Sequence, residues 1–238
     1  MKKIDNFKIK FFADGADLKD FRKLSKNRLV SGFTTNPSLM RKSGIKNYLS
    51  FAKKVLKLIR VKPVSFEIFA DDIKEIEKQA LKISKLGKNV FVKIPIINTK
   101  KKSNAKLIAK LNKQGVKINV TAVFTLKQTT SLFKLISGKT EIIISVFAGR
   151  IADTGLDAQF EMKKHLVKCK TKRNIKILWA SVREVYNLVE AENIGCHIIT
   201  VPPSILSKTK NFNKNLENYS QETVKMFFDD AKKSGYSL

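Results

Sequence analysis

Eight short runs rich in β-branched and aromatic residues, with longer amphipathic stretches between them, leave this chain very few architectures. The runs fall at 8–13, 31–35, 64–69, 89–94, 117–122, 141–147, 175–180 and 197–202. Most are apolar throughout rather than alternating, as expected of strands covered on both faces. The intervening stretches carry helical periodicity. In the segment 73–86, Ile73, Ile76, Ala80, Leu81, Ile83 and Leu86 recur at the spacing of one helix face. Asp71 or Asp72 is placed to cap its start, and Gly87 stands where a C-terminal capping glycine is favoured. Strands joined by crossover helices imply a parallel sheet, and eight such units imply a closed α/β barrel, the (β/α)8 TIM barrel. A doubly wound open sheet is the alternative. No G-x-G-x-x-G follows the first run, and no phosphate-binding P-loop occurs. The chain of 238 residues reads as one barrel domain over 1–238. An extra C-terminal helix over about 213–234 carries Val224, Met226, Phe227, Phe228 and Ala231 on or near one face. That face either packs on its own barrel or meets a neighbouring subunit.

The net charge is +28, from 48 basic and 20 acidic residues. Such a surface attracts nucleic acid, anionic membrane or phosphorylated metabolites. Only seven of the basic residues are arginine, whose planar fork suits base and phosphate recognition, and the lysines are spread along the whole chain. Solvated helix faces are the expected use of most of them, with no nucleic acid partner. No stretch approaches the roughly 20 apolar residues that span a bilayer, so no membrane partner is expected. The N-terminal segment has no apolar run of the kind a secretory signal requires. Cys169 and Cys196 have no metal-ligand spacing and suit a reducing, cytoplasmic setting.

The active site of such a barrel gathers where its strands end. The polar residues at those ends are Asp14, Thr34 and Asn36, Glu67, Lys93, Asn119 and Thr121, Ser145 and Arg150, then Ser181 and Arg183. Polar groups in that phase at so many strand ends converge on one mouth. Lys93 lies in NVFVKIP among Val90, Phe91, Val92 and Ile94. An amine in apolar surroundings is a candidate Schiff-base nucleophile towards a ketone. The other reading is a lysine that reaches the barrel rim or pairs with a carboxylate. Glu67 on the adjacent strand and Asp14 on the first can either move protons or form ion pairs inside the barrel. Arg150 and Arg183, with Ser181, fit a phosphate clamp, or else pair at the surface. His165 and His197 read as structural.

Six segments, in order and on the expected strands, resemble the transaldolase family over nearly the whole chain. They are FTTNPSLM (33–40), FVKIP (91–95), INVTAVF (118–124), SVFAGRIAD (145–153), WASVR (179–183) and ITVPPSIL (199–206). The resemblance implies that Lys93 holds a dihydroxyacetone unit as a Schiff base. It further implies that Asp14 transfers a proton at the cleaved hydroxyl, and that Glu67 works with a water and Thr121. Asn36, Asn119 and Ser145 would bind hydroxyls, Arg150, Arg183 and Ser181 the phosphate, and Thr34 would shape the pocket.

The substrates implied are phosphorylated sugars of the pentose phosphate pathway. No cofactor or metal is implied, because the protonated Schiff base is itself the electron sink. The family's fructose 6-phosphate aldolase branch is similar in size, but it has glutamine where Glu67 stands and tyrosine where Phe147 stands. Both positions favour transfer over free cleavage. Gly15, Val146 and Ala152 depart from the family pattern, which bears on the natural sugar. Short members resemble ring-forming oligomers, so a homo-oligomer is expected. The readings set against a transaldolase are an aldolase, a relative acting on another sugar, and a basic barrel that binds polyanions.

Overall fold

The computed structural model describes residues 3–236. Eight parallel strands close into a barrel in chain order: β1 (Lys10–Asp14), β2 (Val30–Thr34), β3 (Val64–Glu67), β4 (Val90–Pro95), β5 (Ile118–Val123), β6 (Ile142–Val146), β7 (Ile175–Trp179) and β8 (Ile198–Val201), with β8 pairing back onto β1. All eight expected strands are present, and their ends differ from the sequence reading by a residue or two. The first begins at Lys10 rather than at residue 8. The helices are α1 (Leu18–Ser25), α2 (Pro37–Lys42), α3 (Tyr48–Leu58), α4 (Ile73–Ser84), α5 (Ala105–Lys113), α6 (Leu126–Leu135), α7 (Ala148–Ala152), α8 (Ala158–Cys169), α9 (Asn187–Asn193), α10 (Pro203–Leu206) and α11 (Leu216–Ser234). None of those within the described residues is long and apolar enough to cross a membrane.

Side-chain caps start seven of these helices: α1, α2, α3, α4, α6, α8 and α11. Asp72 caps α4 by accepting from the amides of Lys74 and Glu75, while Asp71 turns away to the amide and hydroxyl of Thr99. Ile76, Ala80 and Ile83 form the buried stripe of α4. Ile73 at its first turn is half exposed, a departure from the expected face. Gly87 is not the helix cap that its position suggested. The helix ends at Ser84 with Lys85 as its cap, and Gly87 instead accepts a hydrogen bond from the amide of Val90 in the turn into β4.

The strands are filled in layers. Phe12, Phe91, Ile143, Leu178 and Ile198 form a buried apolar layer inside the barrel. Each of them stands two residues before, and so in phase with, a residue nearer the C-terminal mouth. Gly32 faces the same layer, and a Cβ there would overlap the Phe12 ring, so the aromatic fill requires glycine on β2. Outside the barrel, a second and larger set of apolar residues packs helices onto strands. α11 is set apart from it. None of its residues is buried, and Leu216, Val224, Met226, Phe227 and Phe228 are all at least half exposed. It starts at Leu216 rather than at 213, behind the Asn215 cap. Packing of this helix on its own barrel is excluded by that exposure.

Candidate active site

Above the apolar layer, the next residues in phase are polar. Asp14 ends β1, Thr34 ends β2, Glu67 ends β3, Lys93 lies on β4, Asn119 and Thr121 on β5, and Ser145 on β6. Register places them side by side. Asp14 pairs with Thr34, Glu67 with Lys93, and Lys93 with Asn119. Thr34, Lys93, Asn119, Thr121 and Ser145 are all buried. Convergence on one mouth, expected from strand ends alone, is observed for these seven.

Lys93 is 7% exposed, and its Nζ lies 3.0 Å from Glu67 Oε2 and donates to the Thr35 carbonyl at 3.0 Å. Of the two structural placements that the sequence offered for this lysine, rim exposure is excluded, and pairing with a carboxylate is what occurs. An amine must shed a proton before it can attack a carbonyl, and Glu67 is the group in contact that can accept it. Ion pairing and nucleophilic readiness are therefore not alternatives at this position.

Asp14 is the second carboxyl. Burial pushes it above the usual carboxylate range, opposed by the charge of Lys93 and by a hydrogen bond from Thr34, and assisted by the charge of Glu67. Thr34 Oγ1 donates to Asp14 Oδ1 at 2.8 Å and also contacts Thr200 Oγ1 at 2.5 Å. A carboxyl held up by burial but able to ionise suits proton exchange. On the other side of the mouth, Ser145 donates to Asn119 Oδ1 at 2.6 Å, and Asn119 Nδ2 donates to Ser65 Oγ at 3.0 Å. This chain fixes the amide's orientation. Thr121 Oγ1 is buried and has no hydrogen-bond partner among the described residues.

The remaining predicted residues lie around the rim. Asn36 caps α2 by accepting from the Leu39 amide at 3.0 Å, ahead of Pro37 at the first helical position. Its side-chain NH2 is left for other partners. Arg150, on α7, lies over the Phe147 ring at 5.4 Å. Arg183 pairs with Asp153 through two hydrogen bonds, one of them Nε to Oδ1 at 3.0 Å, with both side chains about half exposed. Arg183 thus shows the surface pairing that the sequence left open. Arg183 holds the Asp153 carboxyl below its usual range, with a further contribution from Arg150. Ser181 has a positive φ of 65°. A Cβ on Gly149 would overlap the Ser181 carbonyl oxygen, so glycine is what lets α7 and the 180–183 turn meet and bring both arginines to one side.

Sequence reasoning missed Ser65, Thr200, Tyr48 and Asp153. Ser65 and Thr200 were in the right strand phase but inside runs that read as strand filler. Tyr48, at the start of α3, donates to the Glu67 carbonyl at 2.7 Å, and no pattern in the sequence signals such a contact. The two histidines are structural, as expected: His165 bonds Thr129 through Nδ1, and His197 Nδ1 accepts from the Ile177 amide. A cavity of about 1160 Å³ opens at the opposite end of the barrel, lined in part by Lys10, Lys117 and Lys176. The Phe12 and Phe91 layer separates it from Lys93, and none of the polar residues at the C-terminal mouth lines it.

A closed barrel whose C-terminal mouth carries a buried lysine, paired with one carboxylate and faced by a second, defines a (β/α)8 protein equipped for amine-based carbonyl chemistry. A sequence model described as transaldolase/fructose-6-phosphate aldolase matches residues 11–238. The chain belongs to that family. Similar proteins include a probable transaldolase of Bartonella henselae, 32% identical over 97% of this chain and all of the relative. Another, from Brucella anthropi, is 33% identical over 91% of this chain and 97% of its own. A third, from Thermoanaerobacter, is 29% identical over 97% of this chain and all of its own length. Among solved structures, a mutant tryptophan synthase α-subunit from Pyrococcus furiosus matches with a TM-score of 0.59 at 12% identity, covering 92% of this chain and 97% of that one. A thiamine phosphate pyrophosphorylase from the same organism matches at 0.57 and 11%, covering 89% and 96%. At such identities these two share the fold alone.

Proposed function

We propose that the protein is a transaldolase, moving a three-carbon dihydroxyacetone unit from a ketose phosphate to an aldose phosphate. The donor would be sedoheptulose 7-phosphate or fructose 6-phosphate, and the acceptor glyceraldehyde 3-phosphate or erythrose 4-phosphate. The observation that carries the reading is Lys93 Nζ held 3.0 Å from Glu67 Oε2 at the mouth of a family barrel, with the partly buried Asp14 at the end of β1 facing the same space.

In this reading Lys93 attacks the donor's ketone carbon. Glu67, with a water held near Thr121, moves the protons needed for the carbinolamine to lose water. Asp14 takes the proton of the hydroxyl two carbons from the resulting iminium as the carbon–carbon bond breaks. The bond's electron pair moves into the iminium and leaves an enamine. Asn36, Asn119 and Ser145 hold the hydroxyls of that unit. The acceptor aldehyde enters, the new bond forms, and Asp14 returns the proton to its oxygen. Arg150, Arg183 and Ser181 bind the phosphate, which replaces Asp153 as Arg183's partner. Thr34 bounds the pocket.

Membership of a family that includes aldolases keeps a second outcome in view. Phe147 supports the transfer reading, because a ring without a hydroxyl offers no proton donor to release the bound unit to water.

The exposed apolar face of α11 supports a homo-oligomer in which that helix lies against a neighbouring subunit. Two free, buried cysteines support a reducing compartment.

Borohydride reduction in the presence of fructose 6-phosphate tests the central step. A stable adduct mapped to Lys93 by mass spectrometry is expected, and Lys93→Met should lose both adduct and turnover, the latter by more than about a thousandfold. An adduct on another lysine, or full activity in Lys93→Met, would overturn the assignment.

A further inference from the structure

The Asp14 carboxyl has two oxygens, and among the described residues a side-chain hydrogen bond engages one of them, Oδ1. Thr34 spends its single hydroxyl proton on Asp14 Oδ1, 2.8 Å away. While Asp14 is ionised, Thr34 can therefore only accept at its other contact, with Thr200 Oγ1 at 2.5 Å, and Thr200 must donate. The three side chains form a directed chain, Thr200 to Thr34 to Asp14, that crosses from β8 to β2 to β1. Thr34 and Thr200 are 2% and 6% exposed, so water does not readily substitute for either hydroxyl. The strands are arranged to hold it, with Asp14 opposite Thr34 on one side of β1 and β8 paired on the other.

We infer that Thr200 is a positioning residue for the proton transfer: through Thr34 it commits Oδ1 of Asp14 as an acceptor and leaves Oδ2 as the oxygen that takes and returns the substrate's proton. The inference rests on the reading of Asp14 as the proton-transfer group. A hydrogen bond that is itself polarised by a second donor stabilises the carboxylate more than a lone one. The chain thus opposes the burial that drives this carboxyl towards its protonated form. The other charges facing Asp14 are Lys93, which also favours the carboxylate, and Glu67, which opposes it. Both stay in place when Thr200 is changed.

The test compares Thr200→Val, which keeps shape and loses the donor, with Thr200→Ser, which keeps the donor. The first readout needs no substrate: the Asp14 carboxyl is titrated by NMR in protein labelled with ¹³C at aspartate, with Asp14→Asn used to assign the resonance. In Thr200→Val its midpoint should move to higher pH, and in Thr200→Ser it should stay near the parent value. The second readout is the acid limb of kcat/KM, which should shift the same way. At neutral pH, kcat/KM should fall about three- to tenfold in the valine variant and recover in the serine variant. Borohydride adduct formation at Lys93 should survive in both. Should the valine variant fail to fold, Thr200→Ala carries the same comparison. An Asp14 midpoint that is unchanged without the Thr200 hydroxyl overturns the inference even if activity falls. If the parent protein shows no sugar chemistry at all, the proposed function fails, while the titration still decides the role of Thr200.

Discussion

Two positions at the mouth separate what the lysine does from what happens next. Lys93 and Glu67 face each other because their strands pair in register at that point, so formation of the Schiff base depends on strand alignment as much as on residue type. In the proposed function Phe147 governs the fate of the bound unit. Its ring lies 5.7 Å from Phe124 and under the Arg150 guanidinium, and it offers no proton. Phe147→Tyr should therefore raise cleavage measured without acceptor relative to transfer measured with it. An unchanged ratio would remove this position from the control of release. Strand phase made Asp14, Thr34, Glu67, Lys93, Asn119, Thr121 and Ser145 legible in the sequence, because each is a polar residue within or just beyond an expected strand. Thr200 interrupts such a run too, but a threonine is at home in a strand and its hydroxyl gave no separate signal. The pairing of Arg183 with Asp153 was illegible for a different reason: it joins side chains thirty residues apart across a turn whose shape depends on Gly149 and on a positive φ at Ser181.

At the scale of elements, the eight strands were legible because β-branched runs bounded by polar segments have few other uses. α1, α3, α4 and α5 were legible by their periodicity. α7, of five residues, is shorter than the window in which a period shows, and the true end of α4 lies before the glycine that the sequence offered as its cap. Packing between α6 and α8 carries a pH dependence of its own. His165 on α8 is fully buried against Thr129 of α6, and its Nε2 has no hydrogen-bond partner among the described residues. Burial lowers its pKa from 6.5 to about 4, with Glu161 raising it and Lys164 lowering it by smaller amounts. The unfolded chain therefore binds the proton first as pH falls. Stability is intact above about pH 6.5 and is lost progressively towards pH 4, by on the order of 3 kcal/mol in all. Thermal melts across that window should show this loss. In His165→Asn, which is less stable overall for lost packing, the part of the slope due to this group should disappear. A variant slope equal to the parent's would show that other groups carry the acid sensitivity.

For the whole molecule, charge and shape pull in opposite directions. A net charge of +28 resists self-association, yet α11 leaves Val224, Met226, Phe227 and Phe228 at least half exposed. Burial of such a face against a neighbouring subunit would offset that repulsion. Replacing Phe227 and Phe228 with aspartate should give a species of lower mass by light scattering, with the circular dichroism of the barrel retained. An unchanged mass would detach this helix from assembly. The sequence marked the apolar face of this helix but not what covers it, since periodicity reports a face and not its partner. The lysine-rich surface also allows a weak, salt-dependent affinity for polyanions. It would be independent of Lys93, and a Lys93→Met variant should keep it.

The claim on which the rest depends is that the lysine-bound unit waits for an aldehyde. Glyceraldehyde 3-phosphate released from fructose 6-phosphate, followed in a coupled assay with and without erythrose 4-phosphate, tests it most directly. Release that requires erythrose 4-phosphate is the predicted result. Equal release without any acceptor would contradict it and would make the protein an aldolase.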